Sequence, residues 1–165
     1  MSKCKENKNY IKCICVLHEN NNKVSGVVKF SQKIGSDKVR VEYEIKGLAN
    51  GKHGFHIHEY GDLTDGCMSS CSHFNPFHKN HGGRGSKERH VGDLGNITSI
   101  NKLAKGVFYD NLISLDFKSK CCIVGRCVVV HKDRDDLGRG KDEESLKTGN
   151  AGKRLGGGVI GLRKN

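Results

Sequence analysis

The chain has 165 residues, the size of one domain, with 29 Lys and Arg against 18 Asp and Glu and a net charge of +11. No run of about 18–20 apolar residues occurs, and the polar start of the chain lacks the apolar stretch of a secretory signal. We therefore expect one cytoplasmic domain over residues 1–165, with a polar, mobile terminus at 1–9, rather than a membrane protein or a secreted precursor.

Short β-rich segments separated by turn residues run through most of the chain. The 22 glycines, the single proline and the lack of long helical periodicity favour an all-β protein. Apolar and charged residues alternate over 39–46, the pattern of a half-buried antiparallel strand. In chain order the predicted strands are 10–17, 23–30 after a turn at 20–22, 39–46, 54–58, 94–100, 103–109, 112–117, 125–131 and 158–162.

Two long polar segments, about 60–92 and 132–154, interrupt these strands. A segment of that length without regular structure in a compact domain is normally functional or disordered. We expect only one helical turn, around 135–137. These nine candidate segments correspond to roughly eight short strands, and with two long functional loops they are typical of a β-sandwich or a flattened barrel.

Histidine is abundant, with nine residues, and several lie where they could share a metal ion. His56 and His58 are two residues apart in a strand, so both imidazoles leave the same face. The other candidate ligands are His73, His81, His90 and Asp93 in the first long segment and His131 at the end of an apolar strand. Three or four N and O donors suit a tetrahedral zinc site, and imidazole-rich sites also suit copper.

An ordinary structural role competes with metal binding for each histidine. A lone strand-end histidine such as His131 is more often a core or rim residue than a ligand, and His56 and His58 taken alone are evenly balanced. We interpret His18, His53 and His78 as ordinary polar residues. Six histidines and one aspartate gathered in loops and strand ends of a small β domain nevertheless favour a metal site.

Several long segments of the chain, in the same order, resemble the signature segments of the copper/zinc superoxide dismutase family. They are GFHIHEYGD at 54–62, HFNP at 73–76, RHVGDLGN at 89–96, VVH at 129–131, DDLG at 135–138, and KTGNAG at 147–152 followed by Arg154 and Leu155. The similarity covers essentially the whole chain after about residue 10, and it is far more specific than a single short motif.

The resemblance implies an eight-stranded antiparallel Greek-key barrel, paired as a homodimer, that converts superoxide to dioxygen and hydrogen peroxide. Its cofactors would be copper and zinc, with His73 bridging the two metals. The implied copper ligands are His56, His58, His73 and His131, and the implied zinc ligands are His73, His81, His90 and Asp93. Imidazole nitrogens suit a copper ion that changes valence, whereas zinc keeps one valence and fixes the loop.

The resemblance also assigns roles around the metals. Arg154 would hold the superoxide anion beside copper, and Asp135 would join a copper histidine to a zinc histidine. Lys147 and Thr148 would complete a positive mouth with Arg154, because a cleft of one charge sign raises the capture rate of an anion. The acidic pair Glu143 and Glu144 would shape the field outside that mouth.

The sequence departs from the family pattern at Gly157. Members normally tie the cysteine at the position of Cys67 to a cysteine three residues after the anion-binding arginine, and this chain has Gly157 there. We expect Cys67 to remain a free thiol in a reducing compartment, with Cys71 as the nearest alternative partner.

Two other functions compete with the enzyme. A non-enzymatic dismutase-like protein, binding metal or acting as a decoy for a partner, is expected to lose copper ligands or the arginine, and this chain keeps them all. A polyanion-binding protein would use the net charge of +11, but a basic surface interleaved with aromatics is not evident at 6% aromatic residues. The expected partners are therefore superoxide, a second copy of the chain and a copper chaperone, with no nucleic acid and no membrane.

Overall fold

The computed structural model describes residues 9–18 and 23–164, and over these ranges almost all regular structure is β-strand. The expected mobile terminus at 1–9 lies outside the described residues except for residue 9, and the expected turn at 20–22 lies outside them entirely. The strands are β1 (Tyr10–Leu17), β2 (Ser25–Lys33), β3 (Val39–Lys46), β4 (Gly51–His58), β5 (Thr64–Cys67), β6 (Asp93–Ile100), β7 (Leu103–Asp110), β8 (Cys127–His131) and β9 (Arg154–Leu162). The helical elements are a 3₁₀ turn at Met68–Ser70 and the helix α1 at Ser145–Thr148.

Eight of these strands close into an antiparallel barrel in the order β1-β2-β3-β7-β6-β4-β8-β9, with β9 returning to β1. β5 stays outside this barrel. The connections from β3 to β4 and from β7 to β8 each skip two neighbouring strands, which is the Greek-key arrangement. The expected fold class is confirmed. Closure matters for function because every barrel strand has a partner on both sides, and side chains on neighbouring strands are therefore held in fixed register.

The barrel interior is filled by the alternating apolar residues that the sequence pattern indicates. On β3, Val41 is fully buried and lies opposite Phe30 of β2 and Phe108 of β7, while its neighbour Arg40 is partly exposed. Cys13 is also fully buried, and burial raises the pKa of its thiol to about 11, so it packs as a small apolar side chain.

The predicted strand at 112–117 is wrong. This segment makes only one isolated bridge, because side chains take its backbone donors. Asp110 Oδ1 accepts the N–H of Leu112 at 2.9 Å, and Gln32 Oε1 accepts the N–H of Leu115 at 2.6 Å. These hydrogen bonds leave no continuous ladder for a neighbouring strand.

The last strand is longer than expected, and the helical turn of the second long loop lies elsewhere. β9 begins at Arg154 instead of 158, and the helix is α1 rather than a turn at 135–137. At the expected position Leu137 has φ +65°, in the left-handed region, and its N–H is bonded to the Asp135 carboxylate at 2.7 Å. The helix α1 has four residues, and no helix in the described ranges has the length and apolarity to cross a membrane.

Candidate metal centre

Barrel strands position the first set of histidines at one end of β4 and β8. His56 and His58 leave the same face of β4, while Phe55 and Ile57 belong to the apolar core. His131 is the last residue of β8, which pairs with β4, so its ring reaches the same place. His73 joins them from the first long loop through an isolated bridge with His58. We call His56, His58, His73 and His131 the strand group.

Each ring of the strand group turns one nitrogen towards the centre of the group. In the three histidines on β4 and β8, the other nitrogen is hydrogen-bonded to the protein. His58 Nδ1 lies 2.7 Å from the carbonyl of Cys71, and His131 Nδ1 lies 3.0 Å from the carbonyl of Gly152. Their Nε2 atoms face each other at 3.3 Å. His56 turns Nδ1 inward because its Nε2 is bonded to the Asp135 carboxylate at 2.8 Å.

Two of these inward nitrogens are buried and make no hydrogen bond, namely His56 Nδ1 and His73 Nε2. A buried nitrogen without a partner costs stability, so the fold has arranged these atoms for something other than its own packing. The four donor atoms of the strand group all lie within 4.8 Å of one another. This donor set fits a single imidazole-bound metal ion, and its chemistry suits copper.

The second set of donors converges on one oxygen of Asp93, the first residue of β6. We call His73, His81, His90 and Asp93 the loop group. Asp93 Oδ1 lies 2.9 Å from His73 Nδ1, 3.0 Å from His81 Nδ1 and 3.2 Å from His90 Nδ1. His81 Nδ1 is buried and makes no hydrogen bond despite that distance, so it too is free to bind an ion.

These spacings match a tetrahedral metal site. Four donors each about 2.0–2.1 Å from zinc lie about 3.3 Å from one another. His73 Nδ1 and His90 Nδ1 are 3.4 Å apart, and the Asp93 distances fall close to the same value. The other carboxylate oxygen, Asp93 Oδ2, is occupied by the backbone N–H of Gly82 at 3.0 Å and of His90 at 2.8 Å, which leaves Oδ1 as the donor. The residues present therefore fit zinc.

Asp135 connects the two groups. Its two oxygens lie 2.8 Å from His56 Nε2 and 2.8 Å from His81 Nε2, so one buried carboxylate orients a donor in each group. Asn96 fixes the backbone of Asp135 with a pair of hydrogen bonds at 2.8 and 2.9 Å. Gly149 passes so close that any Cβ there would collide with the Asp135 carboxylate, which explains glycine at that position.

The protein lowers the pKa of the histidines on β4 and β8, whereas it raises the pKa of His81 in the loop group. Burial, together with the neighbouring histidines, holds the pKa of His56 and His58 well below the usual value and lowers the pKa of His131 to about 4. Burial also opposes the charged form of His81, but its hydrogen bond to Asp135 and the negative charge of the nearby Asp93 carboxylate outweigh burial and raise the pKa to about 9. Metal binding requires neutral imidazole, so the strand group is already in the binding form at neutral pH.

Arg154 lies at the entrance to the strand group. A cleft of about 360 Å³ is lined by Arg154 and Thr148 together with three histidines of the strand group, His58, His73 and His131. The Arg154 guanidinium donates to the carbonyls of Cys67 at 2.5 Å and Cys71 at 2.6 Å. Backbone carbonyls thus hold a cation at the mouth without neutralising it.

The remaining sequence predictions around the site meet different outcomes. Lys147 does not line the cleft and lies 3.5 Å from Glu143, whereas Glu144 lines the cleft and accepts a hydrogen bond from Thr148 at 2.7 Å. His53 is buried between two backbone carbonyls at 2.9 Å each, and His18 and His78 are exposed, in keeping with ordinary roles.

The sequence reasoning missed two residues, because neither has a local signal. Asn96 supports Asp135 from 39 positions away. The buried thiol of Cys127 lies beside Cys67, which is 60 positions earlier in the chain. Both relationships arise from strand neighbours that only the folded barrel brings together.

Comparison with known proteins finds one matching family and several relatives of high sequence identity. A family model described as copper/zinc superoxide dismutase matches residues 24–160. Similar proteins include the copper/zinc superoxide dismutase of Paramecium bursaria Chlorella virus 1, 59% identical over 86% of this chain and 74% of that protein. Copper/zinc superoxide dismutase A of Xenopus laevis is 54% identical over 92% of this chain and 98% of its own length. The protein of that name from Saccharomyces cerevisiae is 56% identical over 84% and 90%.

Proposed function

The chain belongs to the copper/zinc superoxide dismutase family, and we propose that its strand group holds copper and its loop group holds zinc. It is an oxidoreductase that converts two superoxide anions and two protons to dioxygen and hydrogen peroxide. The observation that carries the residue assignment is the orientation of His73, whose Nδ1 faces the loop group and whose Nε2 is buried without a partner beside the strand group. One imidazole can therefore serve both metals.

When bound, copper supplies one-electron transfer, and zinc supplies a fixed charge that does not change valence. The protein contributes a rigid donor set, since β4 and β8 hold His56, His58 and His131 within one hydrogen-bonded sheet. It also limits access, because the side chains of the strand group are almost entirely buried, and three of them line the cleft beside Arg154. These residues keep competing ligands away from a site that must admit one small anion.

Arg154 captures and orients superoxide. Its guanidinium is planar, always charged and held at the cleft by the carbonyls of Cys67 and Cys71. A cation fixed before the substrate arrives needs no reorganisation when the negative charge moves onto the bound oxygen atoms. Arg154 is therefore assigned a catalytic role in binding the anion, not in binding metal.

His73 Nε2 is the atom at which the chain holds a proton for the product. Two observations support this role: the His73 side chain lines the cleft, and its Nε2 is buried without a hydrogen-bond partner. Its other nitrogen, Nδ1, lies 2.9 Å from Asp93 Oδ1, and in the loaded protein both atoms would hold zinc, which would keep the ring in place. Burial lowers the pKa of His73, and this favours release of the proton to an anionic product.

The homodimer is proposed through the outer face of β1 and β9. These two strands pair with each other, and on their outer face they expose Val16 and Val159 at 40% and 41%. Neighbouring apolar side chains in such a patch are typical of a protein–protein interface. Sedimentation of the metal-loaded protein tests this, with a mass of two chains expected and a single-chain mass contradicting it.

A reducing compartment, the cytoplasm, is supported by the cysteines. All seven cysteines in the described ranges are free thiols, as expected where glutathione keeps thiols reduced. Delivery of copper by a chaperone is supported by the burial of the strand group. Exposed thiols would bind free copper before it reached these buried histidines.

Metal analysis combined with a superoxide-consumption assay tests the proposal. We expect about one copper and one zinc per chain and consumption of superoxide well above the rate of the same amount of free copper. Protein that carries both metals without such activity would instead support the alternative of a non-enzymatic decoy. The chain retains every implied metal donor and Arg154, which argues against that alternative.

A further inference from the structure

Three thiols surround two glycines of β9, next to the mouth of the site. A Cβ built on Gly157 would lie 2.9 Å from the Sγ of Cys67 and 3.2 Å from the Sγ of Cys127. A Cβ built on Gly158 would lie 2.8 Å from the Sγ of Cys15. Because Gly157 and Gly158 have no side chains, they leave the space that these sulfurs share.

Cys67 and Cys127 are close enough to be joined. Their sulfurs cannot be further apart than 6.1 Å, the sum of their distances to the same point above Gly157. A change between staggered χ1 rotamers moves a sulfur by about 3 Å, so side-chain rotation can bring both atoms towards bonding distance. Cys127 sits at the start of β8 and Cys67 at the end of β5, so a bond would tie the barrel to the first long loop.

Accessibility distinguishes Cys67 from its neighbours. Cys15 and Cys127 are fully buried, and the Cys15 thiol already donates to the carbonyl of Gly158 at 3.0 Å. Cys67 is partly exposed, and the nearby Arg154 charge partly offsets the effect of burial on the pKa of its thiol. A dissolved oxidant therefore meets Cys67 first. Burial raises the pKa of the Cys127 thiol to about 11, so Cys127, held beside Cys67, resolves the intermediate in the slower second step.

We propose that Cys67 and Cys127 form a reversible redox pair whose disulfide fastens the loop that holds Arg154. The oxidant is a small-molecule disulfide such as glutathione disulfide. The Cys67 thiolate attacks it, forms a mixed disulfide and releases one thiol; the Cys127 thiolate then attacks the Cys67 sulfur and releases the second thiol. The protein loses two electrons and two protons, and the small disulfide gains them.

The disulfide would affect Arg154 because the backbone of Cys67 binds its guanidinium. The Cys67 carbonyl accepts the Arg154 guanidinium and also the hydroxyl of Ser70 at 2.7 Å, so the disulfide would fix the seat of the arginine. The bond closes a loop of about 60 residues, and a loop of that length restricts the unfolded chain strongly. The fold itself does not require the bond, because the barrel is complete with both thiols free.

Peptide mapping of metal-loaded protein tests the pair directly. The protein is equilibrated with excess glutathione disulfide or with excess glutathione, alkylated, and digested with trypsin. Cys67 lies on the fragment 53–79 and Cys127 on the fragment 127–132. We expect these two fragments to be linked only in the oxidised sample, and the melting temperature of that sample to be higher by roughly 5–15 °C.

Three variants make the result specific. Cys71→Ser is the matched control, because it removes the other cysteine of fragment 53–79 and should keep both the link and the temperature shift. Cys127→Ser and Cys67→Ser should each abolish both, and Cys67→Ser is informative even if a buried serine at 127 prevents folding. A link from Cys67 to Cys71 or Cys15, or free thiols throughout in excess glutathione disulfide, would overturn the proposal. The mapping and melting measurements do not depend on dismutase activity.

Discussion

The strand group and the loop group share one histidine, yet the protein holds them in different ways. His56, His58 and His131 belong to barrel strands whose register is set by neighbouring strands on both sides. His81 and His90 lie outside regular structure, and only their contacts with Asp93 and Asp135 bring them together. The strand group also opens on the cleft, whereas His73 is the only member of the loop group in that lining.

This difference predicts how the protein responds to damage in each group. A donor set built on strands exists before any ion arrives, so copper binding needs little rearrangement of the chain. A donor set built on loops is completed by the ion, because binding energy and loop ordering are the same free energy there. We therefore expect damage to the loop group to appear as lost stability and damage near the strand group to appear as lost activity.

The largest effect is expected for Asp93→Ala, which removes the centre of the loop group. Removing one partner from a buried charged network typically costs about 3–5 kcal/mol in the free energy of unfolding, and zinc binding should be lost with it. Denaturant unfolding and metal analysis measure both. His131→Ala is the control on the strand side, which should lose copper while the loop group keeps zinc. Equal loss of both metals in both variants would contradict the distinction.

The stability of metal-free protein should fall on both sides of about pH 6.5. His131 has its pKa lowered to about 4, so the unfolded chain binds the extra proton and about 3 kcal/mol is lost as the pH falls from 6.5 to 4. His81 has its pKa raised to about 9, so a similar contribution is complete below pH 6.5 and is lost as the pH rises through 9.

Urea unfolding of the metal-free protein at several pH values checks this dependence. His81→Gln should remove the alkaline decline and leave the acidic one, because His131, His56 and His58 remain. An alkaline decline that survives this substitution would mean that the loop group is not held by a protonated His81.

A smaller effect, on rate alone, is expected for Arg154→Ala. We expect the catalytic rate to fall about 10–100-fold while both metals stay bound, because the guanidinium contacts the anion and not the donors. Arg154→Lys should give an intermediate rate, since it keeps the charge but not the planar fork. Loss of copper from the alanine variant would show that Arg154 supports the donors instead.

The smallest effect is expected from ionic strength. Salt shortens the screening length from about 10 Å at 0.1 M to about 3 Å at 1 M, so capture of superoxide should slow several-fold over that range. Lys147→Ala should leave the slope almost unchanged, because Lys147 lies outside the cleft beside Glu143. A rate that does not change with salt would remove electrostatic capture from the mechanism.

Several candidate donors can be grouped from the sequence because their relationship is local. His56 and His58 share a strand face by spacing alone, and His90 and Asp93 are three residues apart, within reach of one ion. The alternation over 39–46 likewise predicts β3. These features need only the geometry of a single element, which short-range patterns describe.

Features that depend on distant residues escape such patterns. The segment 112–117 has the composition of a strand, but Asp110 and Gln32 bond its backbone donors, and Gln32 is 83 positions from Leu115. Gly157 can be recognised as a departure from the family, whereas the nearness of Cys127 to that position requires the pairing of β8 with β9. Contacts of this kind follow from the closed barrel.

Asp135 would couple the affinities of the two proposed metal sites. One carboxylate sets the tautomer of His56 and of His81, so an ion that orders either ring also prepares the other group. If zinc strengthens copper binding tenfold, about 1.4 kcal/mol, copper must strengthen zinc binding by the same factor. At limiting metal, chains with one ion would then be scarce beside empty and doubly loaded chains, and maturation would resemble a single cooperative event.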